Sequence, residues 1–439
     1  MKPKVLVISR DSWNETNNSG NTLSNLFQDW DSDRIANLYC RDEIPNNTIC
    51  TNYFKISESL LFKKLFRKIK FAGLRLQKKF DITTIISTDD LKNDQTEKNI
   101  YDFFRNNRWY IFLWVRELLW KAVNWKSKEL KSFLDDFKPE IIYSPSYDSF
   151  YMHEILFFVK TYTNAKVVLF HNDDLVTYRH YSWSPFFWIN RFVLRQYMNK
   201  SISIADKNYC IIDEQSKVYK SIYNIDFNLL YKTGNFFSIP DPIHQQYPLK
   251  IVYTGNINCG RIDSIIEIGN ALQKINVGFA KAKLYLYTAN SISKKLKEKL
   301  IVTGNIEIMG KVSYDEIPGI LANSNILLHV ESFQKQQMYI TSLSFSTKIV
   351  DYLEAARPIL AMGWEHAASV KLLKDNKIAV TVNKINTLDE NLDYLINNLD
   401  NLNSLGIKAW QFGYDNYNKN RVLKNFEKDL YNLIVKFNK

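Results

Sequence analysis

Apolar residues follow two different periods along the chain, and each period predicts a different kind of element. Short runs rich in β-branched residues predict buried strands, whereas apolar residues spaced by three and four predict helices between them. In the first half, strands are predicted at 4–9, 35–40, 140–144, 166–171 and 208–213, and helices at 20–30, 59–79, 109–136, 148–162, 184–204 and 214–223. In the second half, strands are predicted at 250–255, 282–288, 305–310, 325–331, 358–363 and 378–382, with a last helix over about 415–437.

The alternation of strands and helices predicts an α/β fold with parallel sheets in both halves of the chain. A length of 439 residues exceeds what one hydrophobic core usually serves, so we predict two domains. Ten of the 13 glycines follow position 250, and residues 238–250 contain three prolines without periodicity, which is typical of a linker. Two Rossmann-like domains in tandem would hold a ligand in the cleft between them, at the carboxyl ends of the strands.

The composition is that of a globular protein, with 46% hydrophobic and 24% charged residues. The four cysteines have neither CxxC nor metal-ligand spacing, which favours a reducing cytoplasm and argues against a zinc site. The start, MKPKVLVISRDSW, becomes polar too early for a signal peptide, and no apolar run reaches the roughly 18–20 residues of a membrane span. We therefore expect a cytoplasmic protein without a membrane-spanning helix.

The formal charge of +12 is concentrated in one segment, where residues 63–79 contain eight basic residues and no acidic one. Apolar residues recur here at helical spacing, so we predict an amphipathic basic helix over 59–79. Such a helix can bind an anionic membrane surface, although an ordinary surface helix packed on its own domain has the same pattern. No nucleic-acid motif accompanies the charge, so we do not expect a nucleic-acid partner.

Two short segments of the second half carry candidate chemistry. In YTGNINCGRIDSI (253–265), glycines follow a predicted strand and Arg261 opens the next helix, where backbone and guanidinium could hold a phosphate. In FSTKIVDYLEAARP (345–358), Ser346 or Thr347 could cap a helix whose first turn carries Lys348 and, one turn on, an acid. A lysine against the helix dipole suggests a bound anion. The alternatives are a solvated arginine on a glycine turn and an i,i+3 salt bridge.

These segments resemble motifs of the family-4 glycosyltransferases, which have the GT-B fold. FSTKIVDYLEAARPILAMG (345–363) is similar to the family's nucleotide-sugar motif, in the branch abundant among bacterial O-antigen and capsule enzymes. GNINCGR (255–261) resembles the loop beneath the donor pyrophosphate, and residues 4–27 resemble the first strand and the acceptor loop, here at Gly20 and Asn21. The resemblance implies an acceptor domain (1–240), a donor domain (241–414) and a C-terminal helix (415–439) that returns to the first domain.

The resemblance also implies roles for individual residues. Arg261 and Lys348 match the basic residues that hold the donor diphosphate and stabilise it as a leaving group, and Asp351 matches the acid that binds the ribose hydroxyls. His171 matches a histidine near the reacting sugar, so the implied catalytic residues are His171, Arg261 and Lys348. A hydrogen-bonded core histidine is the alternative for His171. The implied donor-binding residues are Gly255, Asn256, Arg261, Ser346, Thr347, Lys348 and Asp351.

The sequence departs from the family's pattern at three positions. A second family glutamate is replaced by Leu343, the ribose-binding acid is one methylene shorter, and Ala356 stands for the usual glycine. Glu331 and Asp173 are possible substitutes for the missing glutamate. Asp173 is followed by a second aspartate, but two adjacent loop acids are usually solvated, so no metal is assigned.

The predicted reaction is sugar transfer from a nucleotide-sugar donor with retention of configuration, without metal or cofactor. The predicted acceptor is a lipid-linked glycan of O-antigen or capsule synthesis, met at the inner face of the cell membrane by a peripheral protein. For the aromatic stretch 109–125 we favour a core role over membrane contact. The alternative functions are a catalytically silent GT-B partner or chaperone of an active transferase, and a GT-B epimerase.

Overall fold

Two parallel-dominated sheets organise the chain. The computed structural model describes residues 1–77, 110–180, 182–242 and 246–435. The first sheet has the order β4-β3-β2-β1-β5-β6-β7-β8, and all of its pairs are parallel except β3–β4. Its strands are β1 (Val5–Ser9), β2 (Ile35–Tyr39), β3 (Asn52–Lys55), β4 (Leu74–Gln77), β5 (Ile141–Pro145), β6 (Lys166–His171), β7 (Lys207–Cys210) and β8 (Asn228–Leu229).

The second sheet is wholly parallel, with the order β11-β10-β9-β12-β13-β14. Its strands are β9 (Leu249–Thr254), β10 (Ala282–Tyr287), β11 (Ile306–Gly310), β12 (Ile326–Val330), β13 (Ile359–Met362) and β14 (Val380–Val382). Parallel strands covered by helices on both faces are apolar throughout, and every residue of β12 and β13 is buried. This explains why the apolar runs predicted these strands.

Helices cover both faces of each sheet. Those of the first half are α1 (Asn18–Phe27), α2 (Glu58–Leu65), α3 (Tyr110–Ala122), α4 (Lys128–Phe137), α5 (Phe150–Thr163), α6 (Pro185–Ile204) and α7 (Asp213–Tyr223). Those of the second half are α8 (Arg261–Ile275), α9 (Lys294–Ile301), α10 (Ile317–Ala322), α11 (Lys335–Thr341), α12 (Lys348–Glu354), α13 (Ala368–Asp375), α14 (Leu388–Asn397), α15 (Leu399–Tyr417) and α16 (Lys419–Val435).

In each sheet the strand order reverses once, between β1 and β5 and between β9 and β12. Loops leave the two strands of such a pair in opposite directions, so a crevice opens at their carboxyl ends, where open α/β sheets bind ligands. The architecture is the predicted GT-B fold, with two Rossmann-like domains.

The C-terminal helix packs on the first domain, as predicted. Phe426 on α16 is buried against the rings of Phe27, Tyr143 and Tyr209, with centroid distances of 5.8, 6.1 and 5.8 Å. The hydroxyl of Tyr209 also donates to Asp429 at 2.7 Å. The end of the chain therefore helps to join the two domains.

The prediction of one helix over 59–79 is wrong. Helix α2 ends at Leu65, Arg67 has a left-handed φ of 57°, and β4 then pairs antiparallel with β3. A side chain at Gly73 would come within 2.6 Å of the Phe54 ring, so close packing against the sheet fixes this bend. The local apolar spacing could not reveal a strand pairing with residues about twenty positions earlier. Lys78 and Lys79 lie outside the described residues.

The predicted helix over 109–136 is two helices, α3 and α4. Ser127 ends the break because its side chain accepts a hydrogen bond from Leu130 N–H and caps α4. Trp120 and Trp125 are buried, which confirms a core role for part of this aromatic stretch. Within the described ranges, no helix is long and apolar enough to cross a membrane.

Candidate active site

Arg261 lies at the reversal point of the second sheet, directly after the loop that follows β9. The loop turns through Cys259 and Gly260, both with positive φ (57° and 72°), and delivers Arg261 as the first residue of α8. A Cβ on Gly260 would lie 2.3 Å from Ser332 Oγ, so this position requires glycine for both its conformation and its packing. The glycine turn therefore fixes where α8 begins and, with it, the position of Arg261.

Glu331 follows β12 and pairs with Arg261 across the reversal point. Its Oε2 atom accepts from Nη2 at 2.8 Å and from Nε at 3.1 Å, and the carboxylate side chain is only 3% exposed. Burial raises the pKa of Glu331, although the charges of Arg261 and Lys348 oppose the shift. Sequence reasoning named Glu331 only as a substitute for the missing glutamate. The structure places it beside Arg261, a contact between residues 70 positions apart.

Lys348 begins α12 and lies close to the same pair. Its Nζ atom is 3.8 Å from the centroid of the Tyr253 ring and 3.4 Å from the carbonyl oxygen of Thr254. Burial, with a contribution from the charge of Arg261, lowers the pKa of Lys348 to about 7. Among the described residues Lys348 forms no ion pair, so a bound anion would find an unpaired ammonium group here.

Gly255 and Asn256 follow β9, and Gly255 lies beside Lys348. A Cβ on Gly255 would be 3.9 Å from Lys348 Nζ, so the absence of a side chain keeps the approach to the ammonium open. The Oδ1 atom of Asn256 accepts from the backbone N–H of Asn258 at 2.6 Å, which fixes the turn. Both residues are exposed beside the site.

The predicted side-chain cap of α12 is absent. Thr347 is the N-cap residue but makes no capping hydrogen bond, because its helical φ and ψ of −59° and −22° differ from the extended conformation that capping needs. The backbone N–H of Ser346 donates to Ser369 Oγ at 2.9 Å. Ser346 and Thr347 lie at the start of α12, next to Lys348, with their hydroxyls not committed to a cap.

Asp351 is paired with a lysine that the sequence did not indicate. Lys232, on the segment after β8, places its Nζ atom 2.6 and 2.7 Å from the two carboxylate oxygens. The ammonium also lies 6.0 Å from the ring centroid of Tyr314. The alternative of an i,i+3 salt bridge between Lys348 and Asp351 is not found, and a ribose at Asp351 would share the carboxylate with Lys232.

His329 is a member of this cluster that sequence reasoning missed. It lies on β12 with its Nε2 atom 3.5 Å from Glu331 Oε1 and is fully buried. Burial and the charges of Lys348 and Arg261 keep the pKa of His329 well below its ordinary value, so the ring is neutral. The signal was available, because positions 329 and 331 lie two apart on the strand predicted over 325–331 and so share one face. Leu343, at the position of the missing glutamate, is buried.

A second polar group lies in the first domain, at the carboxyl ends of β1, β5 and β6. Arg10 Nη1 pairs with Asp148 Oδ1 at 2.8 Å, and its guanidinium lies 5.5 Å from the ring centroid of Tyr147. The Nε of Arg10, the hydroxyl of Tyr147 and the amide oxygen of Asn172 are buried without a partner among the described residues. Asp173 accepts from Ser344 Oγ at 3.2 Å, so the two domains touch here.

His171 is fully buried rather than exposed to the cleft. Its Nδ1 atom lies 2.8 Å from Ser146 Oγ and its Nε2 atom 3.1 Å from Asn208 Oδ1, so both ring nitrogens already have protein partners. Burial lowers the pKa of His171 to about 4. This is the geometry expected for the core alternative, and a role beside the reacting sugar stays a prediction.

Local packing accounts for the remaining predicted positions. A Cβ on Gly20 would clash at 2.0 Å with the carbonyl of Asn14, and the oxygens of Asn21 accept from Asn25 on the next turn of α1. Asp174 accepts hydrogen bonds from two backbone amides and from Tyr219, as a structural carboxylate does. No group of three or more His, Cys, Asp or Glu side chains that could hold a metal occurs in the part of the chain that the structure describes.

No protein-family model matches the sequence, and no curated protein matches it. Solved structures match the fold over nearly the whole chain at low identity. HepE from Anabaena, solved with UDP, has a TM-score of 0.61 at 10% identity and covers 98% of this chain and 100% of its own. Sucrose-phosphate synthase from Thermosynechococcus elongatus has a TM-score of 0.59 at 10% identity, covering 99% and 100%.

An α,α-trehalose-phosphate synthase (UDP-forming) from Burkholderia vietnamiensis also matches, with a TM-score of 0.58 at 9% identity, covering 98% of this chain and 100% of its own. At such identities the likeness establishes the fold and no more. The chain therefore has the GT-B fold of these structures, and its chemistry depends on its own residues.

Proposed function

We propose that this protein is a glycosyltransferase that takes a sugar from a nucleotide-diphosphate donor. The observation that carries the proposal is the pair of cations, Arg261 and Lys348, at the reversal point of the second sheet. Lys348 lacks a carboxylate partner in the described residues, and burial holds its pKa near neutrality, as expected for an ammonium awaiting an anion. HepE was solved with UDP, and the matching trehalose-phosphate synthase is UDP-forming, which supports a nucleoside diphosphate as that anion.

Transfer with retention of configuration is the proposed stereochemistry. The acceptor hydroxyl would approach the anomeric carbon from the side on which the diphosphate leaves, and a leaving-phosphate oxygen would accept its proton. Arg261 and Lys348 would stabilise the charge that develops on the diphosphate, which is the largest contribution such groups make. Because these two cations supply the compensating charge, the reaction is proposed to proceed without a metal ion.

The first-domain group around Arg10 and Asp148 is the proposed acceptor site. Its polar atoms without partners in the described residues, on Arg10, Tyr147 and Asn172, follow first-domain strands at their carboxyl ends and could bond sugar hydroxyls. Asp173, which touches Ser344 of the second domain, would lie where the two substrates meet. Closure of the domains at this contact would exclude water from the donor.

The acceptor is proposed to be a lipid-linked glycan of bacterial O-antigen or capsule synthesis, bound at an anionic membrane surface. An open groove of about 640 Å³ between α3, α5 and α6 supports this, since Trp114 and Leu118 line it and remain 38% and 63% exposed. Phe186 and Ile189 continue the apolar surface along α6, and Lys121 lies at the groove. Apolar side chains beside lysines are what an anionic lipid surface binds.

Nucleotide binding tests the proposal directly. We expect UDP, GDP or dTDP to raise the unfolding temperature of the protein, and Lys348→Ala to remove the increase. Lys274→Ala is the matched control, because Lys274 is an exposed lysine on α8, the helix that carries Arg261. A protein that no nucleotide stabilises, with no donor hydrolysis that depends on Lys348, would end the enzyme proposal.

A catalytically silent partner of an active transferase is the second candidate function. Leu343 is buried in place of the expected glutamate, and Asp351 is already held by Lys232. A silent protein would bind the nucleotide without hydrolysing or transferring its sugar, whereas a transferase would release UDP from UDP-sugar in the presence of a lipid-linked acceptor.

Flotation with liposomes tests the membrane proposal separately. We expect the protein to float with vesicles containing anionic lipid, to be released by salt, and to bind less after the double change Trp114→Ser and Leu118→Ser. Equal recovery with neutral and anionic vesicles would contradict it.

A further inference from the structure

His329 is a buried imidazole without hydrogen-bond partners at the centre of the proposed donor site. It lies on β12, between β9 and β13, and is 0% exposed. Neither ring nitrogen has a hydrogen-bond partner within the described residues. His153 and His171 are buried as well, but each of their ring nitrogens lies within 3.1 Å of a protein oxygen. Buried polar groups without partners are uncommon and call for a reason.

The groups that face His329 suggest a reason for its lack of hydrogen-bond partners. Lys348 and Arg261 are close enough to lower the pKa of His329, and Glu331, directly after β12, places its Oε1 atom 3.5 Å from Nε2. Tyr352 of α12 donates its hydroxyl hydrogen to Leu328 O, next to His329 along β12. Burial and the two cations keep the imidazole neutral, so it has one N–H to donate, and the Glu331 carboxylate lies close enough to become its acceptor.

Glu331 connects His329 to Arg261. Its Oε2 atom takes both the Nε and the Nη2 hydrogens of Arg261, while Oε1 faces His329. An anion that draws the guanidinium toward itself would weaken these bonds, and a carboxylate that is 3% exposed could not turn to water instead. A shift of about half an ångström would bring Oε1 within hydrogen-bond distance of Nε2.

We propose that His329 is a positioning residue for the donor diphosphate: it donates its Nε2 hydrogen to Glu331 when Arg261 engages the phosphates, so that Glu331 continues to orient the guanidinium. This proposal rests on the proposed function. The imidazole does not touch the substrate and acts through Glu331. Because neither ring nitrogen has a partner among the described residues, the Nε2 hydrogen is available for this bond.

Calorimetric titration of the full chain with UDP, and with inorganic pyrophosphate as a probe without the base, tests the proposal. We expect His329→Phe and His329→Asn to weaken UDP binding by about tenfold, because a hydrogen bond to a charged group is lost. His329→Gln should restore most of the affinity, since its amide nitrogen can occupy the position of Nε2 and asparagine is too short. His153→Gln, a buried histidine in the first domain, is the control and should leave UDP binding unchanged.

The double variant His329→Phe/Glu331→Gln separates positioning from packing. If His329 acts through Glu331, the loss from His329→Phe becomes smaller when Glu331 is already glutamine, because a neutral amide oxygen accepts a weaker hydrogen bond than a carboxylate. Equal losses in both backgrounds, or a change below twofold for His329→Phe, would overturn the proposal.

A histidine-selective 15N spectrum of the wild-type protein gives a readout that does not depend on variants. UDP should shift the ring signals of one solvent-protected histidine, and an unchanged spectrum at saturating UDP would overturn the proposal. If the wild-type protein bound neither UDP nor pyrophosphate, both the proposed function and the inference about His329 would be contradicted. Normal UDP binding with inert His329 variants would remove only the inference about His329.

Discussion

The lowered pKa of Lys348 predicts a steep pH dependence of nucleotide binding. Burial and the neighbouring guanidinium hold its pKa at about 7, so about half of the free protein carries the ammonium charge at pH 7 and about one hundredth at pH 9. A bound diphosphate favours the charged form and raises the pKa again. If binding needs the charge, UDP affinity should fall about 50-fold between pH 7 and pH 9, which is about 2.3 kcal/mol.

Calorimetric titration at several pH values measures this loss. A phosphate group titrates near pH 6, so the range above pH 7 avoids most of the titration of UDP itself. Repeating the titration at pH 8 in buffers with different heats of ionisation should reveal the uptake of close to one proton per UDP bound. Lys348→Arg is the matched control, because arginine keeps its charge throughout and should give a flat profile.

Two results would refute the reasoning. A wild-type affinity that is constant from pH 7 to pH 9 would mean that Lys348 does not contact the phosphates or is not shifted. A slope that survives in Lys348→Arg would assign the pH dependence to another group.

The stability of the protein without added nucleotide should change with pH in the opposite direction to the affinity. The unfolded chain keeps the lysine proton up to about pH 10.4, whereas the folded protein loses it near pH 7, so this group makes stability rise with pH above 7.

Three further predictions concern the glycine turn, the C-terminal helix and the paired acid. Gly260→Ala should destabilise the protein by more than the roughly 1 kcal/mol expected for Gly278→Ala in denaturant unfolding, since both have positive φ but only Gly260 meets a neighbouring side chain. Phe426→Ala should cost about 3–5 kcal/mol in the same assay, whereas Tyr431→Ala, an exposed position on the same helix, should cost little. Asp351→Asn should weaken UDP binding several-fold while leaving pyrophosphate binding unchanged, if the acid contacts ribose; equal losses for both probes would contradict that role.

All strands of the second sheet, and five of the eight strands of the first, could be predicted because a parallel strand buried on both faces must be apolar along its length. The runs at 250–255 and 325–331 became β9 and β12 for this reason. Elements with weaker patterns were missed or misread. The helix predicted over 59–79 failed where Gly73 packs on Phe54 and β4 pairs with β3, a contact that no local spacing encodes.

In the candidate site, too, the residues of local motifs could be predicted, whereas their partners from distant parts of the chain could not. Arg261 and Lys348 were found from short motifs, because the glycine turn and the helix start that position them are local in sequence. The partner of Arg261 is Glu331, 70 positions away, and the partner of Asp351 is Lys232, 119 positions away. Such pairs exist only once the sheet order and the packing of α12 are set.

The sequence by itself determined which residues bear the charges, where the strands of the donor half lie and that helices start at Arg261 and near Lys348, because these depend on turn chemistry and on burial of one element at a time. Only the tertiary structure decided the pKa values, the burial and the partners of those residues. Burial turned Lys348 into a lysine that titrates near neutrality, enclosed His171 in the core, and brought His329 against Glu331. The physical reason is that desolvation and charge pairing depend on neighbours from distant parts of the chain.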